Sequence, residues 1–336
     1  YYTETGTLFA FASEPQALIK AGIRGAEENA GAFRELLQLQ FTCGRETPFA
    51  GIYRVLPGET IVIEEGQIID RIQMSGLPMD SPIQVTESFA VAELERLFMQ
   101  SVEFHQRSDV PYGMFFSGGI DSSALLAMMR RLNSRPVKAF TLGFDKADIH
   151  DERDHARRVA KFTGAEHIEV SFSEGDFWEL LPSAARSIDD IVADYAILPT
   201  LKLAEAAHKA GIKVILSGEG GDEMFAGYSR YRRTLRASFL GGRAMRANGL
   251  LDGMGLLRCE GRDWRNRITR FEKDLPSCLT KLQMAQATDC AFWLPNDLLI
   301  KLDRCLMAHG VEGRVPFVDP AVAQFSFVLP DTLKVR

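Results

Sequence analysis

At 336 residues, 46% hydrophobic and 25% charged, the chain has enough material for two domains and none of the bias of a disordered or fibrous protein. A formal net charge of −6 argues against a nucleic-acid partner, and no run approaches the ~18 apolar residues of a membrane span. Five cysteines, odd in number and without Cys-x-x-Cys or Cys/His ligand spacing, speak against a disulfide framework or a zinc site and fit a reducing cytoplasm.

Taken in chain order, residues 1–75 read as short strands and turns. Thr7 to Ala12, Gly51 to Leu56 and Glu59 to Glu64 have strand character, Pro57-Gly58 and Gly66 mark turns before Ile68-Ile69, and one helix is expected near Asn29 to Gln40. The reading is an antiparallel β element. Residues 76–85, with Gly76, Pro78, Ser81 and Pro82, form a linker.

From residue 86 to 336 the pattern alternates. Helices are predicted over Thr86 to His105, after Asp121, over Asp151 to Thr163 and over Thr200 to Ala210. Strands are predicted at Tyr112 to Phe116, Val137 to Leu142, His167 to Phe172 and Lys213 to Leu216. Such alternation predicts an α/β fold, a doubly wound parallel sheet whose ligands bind at the carboxyl ends of its strands. After Tyr228 the sequence turns mostly helical. Arginines cluster at Arg230-Tyr231-Arg232-Arg233 and at Arg262, Arg265, Arg267 and Arg270, as on solvated helix faces.

Two loops carry the chemistry. Ser117-Gly118-Gly119-Ile120-Asp121-Ser122-Ser123 lies between an apolar strand and an amphipathic helix, where free amides and the positive end of the dipole stabilise an anion. It lacks the Lys-Ser/Thr pair of a Walker A loop. Asp121 would repel a phosphate unless a cation lay between them, so Mg²⁺ belongs to the expectation. Ser217-Gly218-Glu219-Gly220-Gly221-Asp222-Glu223 ends the fourth strand with three carboxylates among its glycines, which suits metal-bound polyphosphate.

The pair of loops resembles the SGGxDSS and SGEGxDE loops of the glutamine-dependent asparagine synthetase family. Further likenesses follow in the expected order. They comprise Ala139 to Phe144, Asp151-Glu152, Ala193-Asp194, Pro199-Thr200, Leu302-Asp303-Arg304, Met307-Ala308 and Val311 to Asp319, with Gly313 standing where that family carries alanine or a bulkier residue. Residues 1–75 resemble the closing part of the family's class II glutamine amidotransferase domain, through Leu8 to Leu18 and Leu56-Pro57-Gly58. That implies the end of an antiparallel β-rich Ntn-type glutaminase domain, followed by an ATP-pyrophosphatase domain of the pyrophosphate-loop adenine-nucleotide type. The family's amino-terminal catalytic Cys and its later lysine segment have no counterpart here, and Cys43 reads as a buried apolar residue. On this reading the chain is a fragment lacking both ends.

The resemblance implies ATP and Mg²⁺ as cofactors. A carboxylate, aspartate first, attacks ATP to give an acyl-adenylate and pyrophosphate, and glutamine-derived ammonia then displaces AMP. Ser117, Gly118, Gly119, Ser122 and Ser123 would cradle the pyrophosphate, and Asp121 and Asp222 would hold the metal. Phe116 and Leu142 would line the adenine and ribose pocket, with Ser217 and Gly218 offering backbone contacts. Glu219 is the candidate for orienting the adenylate and taking a proton from the attacking ammonium. Arg314 and Asp303 are candidates for the pyrophosphate and acceptor side, whereas Cys305, Met307 and Phe317 read as core. The expected partners are small molecules, with neither nucleic acid nor membrane, and a homodimer is an open expectation. Two alternatives stand: the same chemistry on a sugar acid, peptide or secondary metabolite, and a non-catalytic nucleotide-binding domain.

Overall fold

The computed structural model describes residues 1–6, 8–145, 153–257 and 263–335. Thr7, Asp151, Glu152 and Arg262, named in the sequence reading, and Cys259, one of the five cysteines, lie outside the described residues. Among those described, no helix is long and apolar enough to cross a membrane. The chain divides into two compact units that are discontinuous in sequence, the first comprising Tyr1–Ser81, Ile188–Asp194 and Ser229–Ile300, and the second the remainder. Sequence reading had grouped residues 229–300 with the parallel sheet; by contact they group with the first unit.

In the first unit, β1 (Tyr2–Thr5) pairs antiparallel with β2 (Leu8–Phe11), and β3 (Glu59–Glu64) with β4 (Gln67–Gln73). The helix at Ala30–Leu39 starts where Asn29 accepts from the Gly31 and Ala32 amides and stops where Gln40 turns left-handed. The strand expected over Gly51 to Leu56 does not form. Gly51 has φ +77°, which breaks the extended run, and Tyr53 makes only single bridges to Tyr2 and Glu46. Cys43 is fully buried, and burial pushes its thiol far above the usual range, which disfavours the thiolate and agrees with an apolar packing role. The arginine clusters are solvated faces in part: Arg232, Arg233, Arg267 and Arg270 are exposed, while Arg230 and Arg265 are half-buried. Arg230 pairs with buried Asp289 at 2.8 Å, and Arg265 donates to the Met245 and Arg246 carbonyls and pairs with Glu272.

The second unit is built on a wholly parallel sheet of β5 (Tyr112–Phe115), β6 (Lys138–Phe144), β7 (Glu166–Phe172), β8 (Val214–Leu216) and β9 (Glu312–Arg314), in the spatial order β7-β6-β5-β8-β9. Successive residues of each strand feed opposite faces. Met114, Ala139, Val214 and Leu216 join one core, with Val102, Leu125, Leu126 and Ala156 from the helices Glu87–His105, Ile120–Leu132 and Arg153–Thr163. Phe140 and Ile215 join the other, with Ala204, Ala207, Leu302 and Leu306 from the helices Ile197–Lys209 and Leu299–Met307. Both faces are therefore covered, and the fold is doubly wound. The sequence reading missed β9 and the helix Glu174–Ser187. Gly313 pairs with Ile215 in β9, and a Cβ there would meet Leu306 Cδ1 at 2.8 Å. Of the residues read as core, Cys305 and Phe317 are buried, but Met307 faces out at 52% exposure.

Candidate active site

Strand order reverses between β5 and β8: β6 and β7 lie to one side, and β9 to the other. A crevice opens at such a switch point beyond the carboxyl ends of the strands. The two strands that flank it are the two that carry the glycine-rich loops. The loops touch through backbone, since a Cβ on Gly218 would lie 3.3 Å from the Ser122 nitrogen.

In the first loop Gly118 adopts φ +82°, and a Cβ there would stand 3.1 Å from the Ala156 backbone, so conformation and close packing both demand glycine. Ser117 Oγ accepts from the Gly119 amide at 3.1 Å and lies 3.2 Å from Ser122 Oγ. Ser122 and Ser123 donate their hydroxyls back to the Gly119 and Gly118 carbonyls. Gly119 caps the following helix without a side chain, so no cap occupies the first-turn amides. The loop is braced from within, and its helix end stays open to an anion.

A cavity of about 850 Å³ lies over this edge. Phe116, Ser117, Gly119, Asp121, Ser122, Leu142, Ser217, Gly218, Glu219 and Asp222, all expected at the site, line it. Gly118 and Ser123 stand behind the lining as bracing. Asp303 and Arg314 are not brought to it. Asp303 is exposed on its helix beside Arg304, while Arg314 pairs with Glu312 and donates to the His105 and Arg107 carbonyls. What Arg314 does give the site is its own carbonyl, which accepts from the Ser217 amide at 2.8 Å and fixes the start of the second loop.

Burial, and then the charge of Asp222, push the Asp121 carboxyl up to about 6. The two carboxylates are crowded by design of the backbone: a Cβ on Gly221 would fall 2.5 Å from Asp121 Cγ, and one on Gly227 would collide with Asp222 Oδ1. A pair of hard oxygen ligands whose like charge raises a pKa suits a divalent cation. Among the described residues no cluster of three or more His, Cys, Asp or Glu could hold a metal alone. Mg²⁺ commonly takes one or two carboxylates and completes its shell with water and phosphate oxygens, so Asp121 and Asp222 would be donors of the right kind for it.

Lys301 escaped the sequence reading. Its side chain is 5% exposed and its Nζ lies 3.4 Å from Oε1 of Glu219, so it stands behind the lining rather than in it. A lysine inside an apolar helical run was the available signal, because a buried lysine needs a partner. Phe144, Phe172, Phe177 and Tyr195 also line the cavity and were missed, since an aromatic residue in sequence reads first as core.

Comparison with known proteins agrees with this geometry. The family model described as asparagine synthase matches residues 93–336. Asparagine synthetase [glutamine-hydrolyzing] 1 of Bacillus subtilis (strain 168) is 29% identical over 376 residues, covering 100% of this chain and 58% of that protein. A putative asparagine synthetase [glutamine-hydrolyzing] of Mycobacterium bovis is 31% identical, covering 90% of this chain and 53% of that protein. Amidase chyE of Penicillium rubens is 29% identical, with 70% and 37% covered. The chain thus spans about half the length of the asparagine synthetases it matches. With a family match over most of its length, and with both glycine-rich loops at the switch point of its sheet, this chain belongs to the asparagine synthase family.

Proposed function

We propose that the second unit carries the synthetase half of an enzyme that forms an amide from a carboxylate and ammonia at the expense of ATP. The observation that supports this most directly is the meeting of two glycine-rich loops, one ending in an open helix N-terminus and both bearing carboxylates, over one cavity. Helix-end amides and the Ser117 and Ser122 hydroxyls take the β,γ-phosphates, and Phe116 and Leu142 bound the adenosine side. Asp121 and Asp222 would hold Mg²⁺, which when bound neutralises phosphate charge as pyrophosphate departs.

The acceptor carboxylate oxygen bonds to the α-phosphorus as the bond to the bridging oxygen breaks, releasing pyrophosphate. Ammonia then attacks the acyl carbon and AMP leaves, with Glu219 accepting the proton lost by nitrogen. Lys301, 3.4 Å from Glu219 Oε1, restrains that carboxylate from behind the lining. Positioning and electrostatics supply most of the rate, because the chain contributes no nucleophile to the reaction. Ammonia is drawn from glutamine in the whole protein.

Aspartate is the first acceptor to test. A second reading, the same chemistry on a carboxylate without another anionic group, is favoured by the lining. Among the described residues that line the cavity there is no Lys, Arg or His to meet an α-carboxylate. Pyrophosphate release should be measured with ATP, Mg²⁺, ammonium and a panel of aspartate, sugar acids and peptides. Release that depends on one acceptor, with its amide as product, is expected. ATP binding by calorimetry without pyrophosphate release for any acceptor, in the whole protein, would replace the proposal with a nucleotide-binding role.

A further inference from the structure

The first unit holds a second concave site that the synthetase chemistry does not use. Arg230, Arg233, Arg243 and Arg246 line a cavity of about 180 Å³, with Thr234 and Asn248 as its polar wall. No acidic side chain is in that lining.

Two of the arginines form the more buried side of the cavity. Arg230 reaches Asp289 at 2.8 Å and Arg246 at 3.6 Å, and Asp289 is fully buried. The Arg246 guanidinium lies 4.2 Å from the Trp293 ring centroid and 5.1 Å from that of Phe41, and Arg230 lies 5.4 Å from Trp293. Asp289 and Trp293 both come from the π-helical segment Asp289–Leu298, a form of helix concentrated at functional sites. The other two arginines form a rim. Arg233 and Arg243 are exposed and have no carboxylate partner among the described residues, and Arg243 donates to the Asn248 side-chain oxygen at 3.1 Å in the amide orientation that satisfies both its ends.

Among the described residues, Asp289 and, more weakly, Asp297 act on Arg246, while two of the four guanidiniums in the lining, those of Arg233 and Arg243, have no carboxylate partner. Burial and the neighbouring Arg230 both work against the charge on Arg246. An anion in the cavity relieves that repulsion, and guanidinium forks match the geometry of tetrahedral oxyanions. The volume is well below the ~300–1,000 Å³ of pockets for drug-sized ligands, so the occupant is small.

We propose that this arginine-lined cavity binds a phosphate-type oxyanion, either inorganic phosphate or the phosphate group of a small monoester. The inference is independent of the amide-forming reading, because none of these residues belongs to that cavity.

Thermal unfolding of the full 336-residue chain at constant ionic strength tests it, with inorganic phosphate in one arm, glycerol 3-phosphate in another and sodium chloride as the control. At 10 mM, phosphate should raise the midpoint by about 2 °C, chloride should not, and the Arg233→Gln/Arg243→Gln double variant should lose the rise. Both positions are exposed, so the variant should keep the native circular dichroism. Line broadening of the phosphate ³¹P resonance provides a second readout that needs no unfolding. Asp121→Asn should leave both effects intact. A greater shift with the monoester would identify it as the ligand. A rise that chloride reproduces, or that survives the double variant, or that disappears in Asp121→Asn, would overturn the proposal.

Discussion

On the proposed reading, Asp121 is held where function needs it and stability does not. Its carboxyl is raised from an ordinary 3.8 to about 6 by burial and by Asp222, so at neutral pH the ligand-free fold carries an ionised group at a cost. A carboxyl whose folded pKa is raised binds more protons in the folded chain than in the unfolded one. Its contribution therefore declines as pH rises from 3.8 through about 6 and stays unfavourable above. Asp121→Asn should raise the stability of the ligand-free protein at pH 7.5 by roughly 1 kcal/mol, discounted for the part of the side chain that water screens, and should remove its share of the decline between pH 4 and 6. The same variant should lose acceptor-dependent pyrophosphate release by at least about 100-fold, because the metal would keep only Asp222. Urea unfolding at several pH values and a pyrophosphate assay check the two halves. A variant less stable than its parent at pH 7.5 would mean that Asp121 is not under like-charge stress.

At the scale of elements, the site is a strand, a turn and a helix repeated twice, and glycine spacing made it legible. The apolar run at Tyr112 to Phe116, the paired glycines and the amphipathic helix that follows are local signals, and each appears where the sequence puts it. The partner loop after Val214 to Leu216 is as plain. Less legible were elements defined by distant contacts. The three-residue strand β9 takes its strand character from pairing with β8, almost a hundred residues earlier, and the helix Glu174–Ser187 carries Pro182 within it. Arg314 shows the same limit, since the family resemblance suggested chemistry while its fold neighbours are the carbonyls of His105 and Arg107. Gly221 provides the test at this scale. A Cβ there would fall 2.5 Å from Asp121 Cγ, within a helix that tolerates alanine, so Gly221→Ala should displace the carboxylate and leave the loop's backbone in place. The expected result is a loss of activity close to that of Asp121→Asn, with an unfolding midpoint within ~2 °C of the parent. Unchanged activity would mean that Asp121 swings aside without consequence.

At the scale of the whole molecule, the chain leaves and re-enters each unit, which no local pattern announces. Residues 188–194 lie between the helix Glu174–Ser187 and the helix Ile197–Lys209 of the second unit, yet they group with the first. Asp190 explains why. It is fully buried, takes both forks of the Arg54 guanidinium, and accepts from Tyr1 Oη at 2.5 Å. Arg54 in turn donates to the Thr42 hydroxyl and to the Thr42 and Gly44 carbonyls, and the Asp190 neighbour Asp189 accepts from the Gln16 amide at 3.1 Å. A buried pair of this kind adds little against an apolar substitute for both partners, but removal of one partner strands a charge and costs about 3–5 kcal/mol. Asp190→Ala should therefore destabilise the first unit by that amount. Hydrogen exchange should report the loss first at the backbone of 1–12, 41–54 and 188–194, while a double substitution of Arg54→Met with Asp190→Leu recovers most of it. If the single variant costs under about 1 kcal/mol, the segment 188–194 is held by backbone bonds such as Ala193 N to Gln40 O rather than by the ion pair.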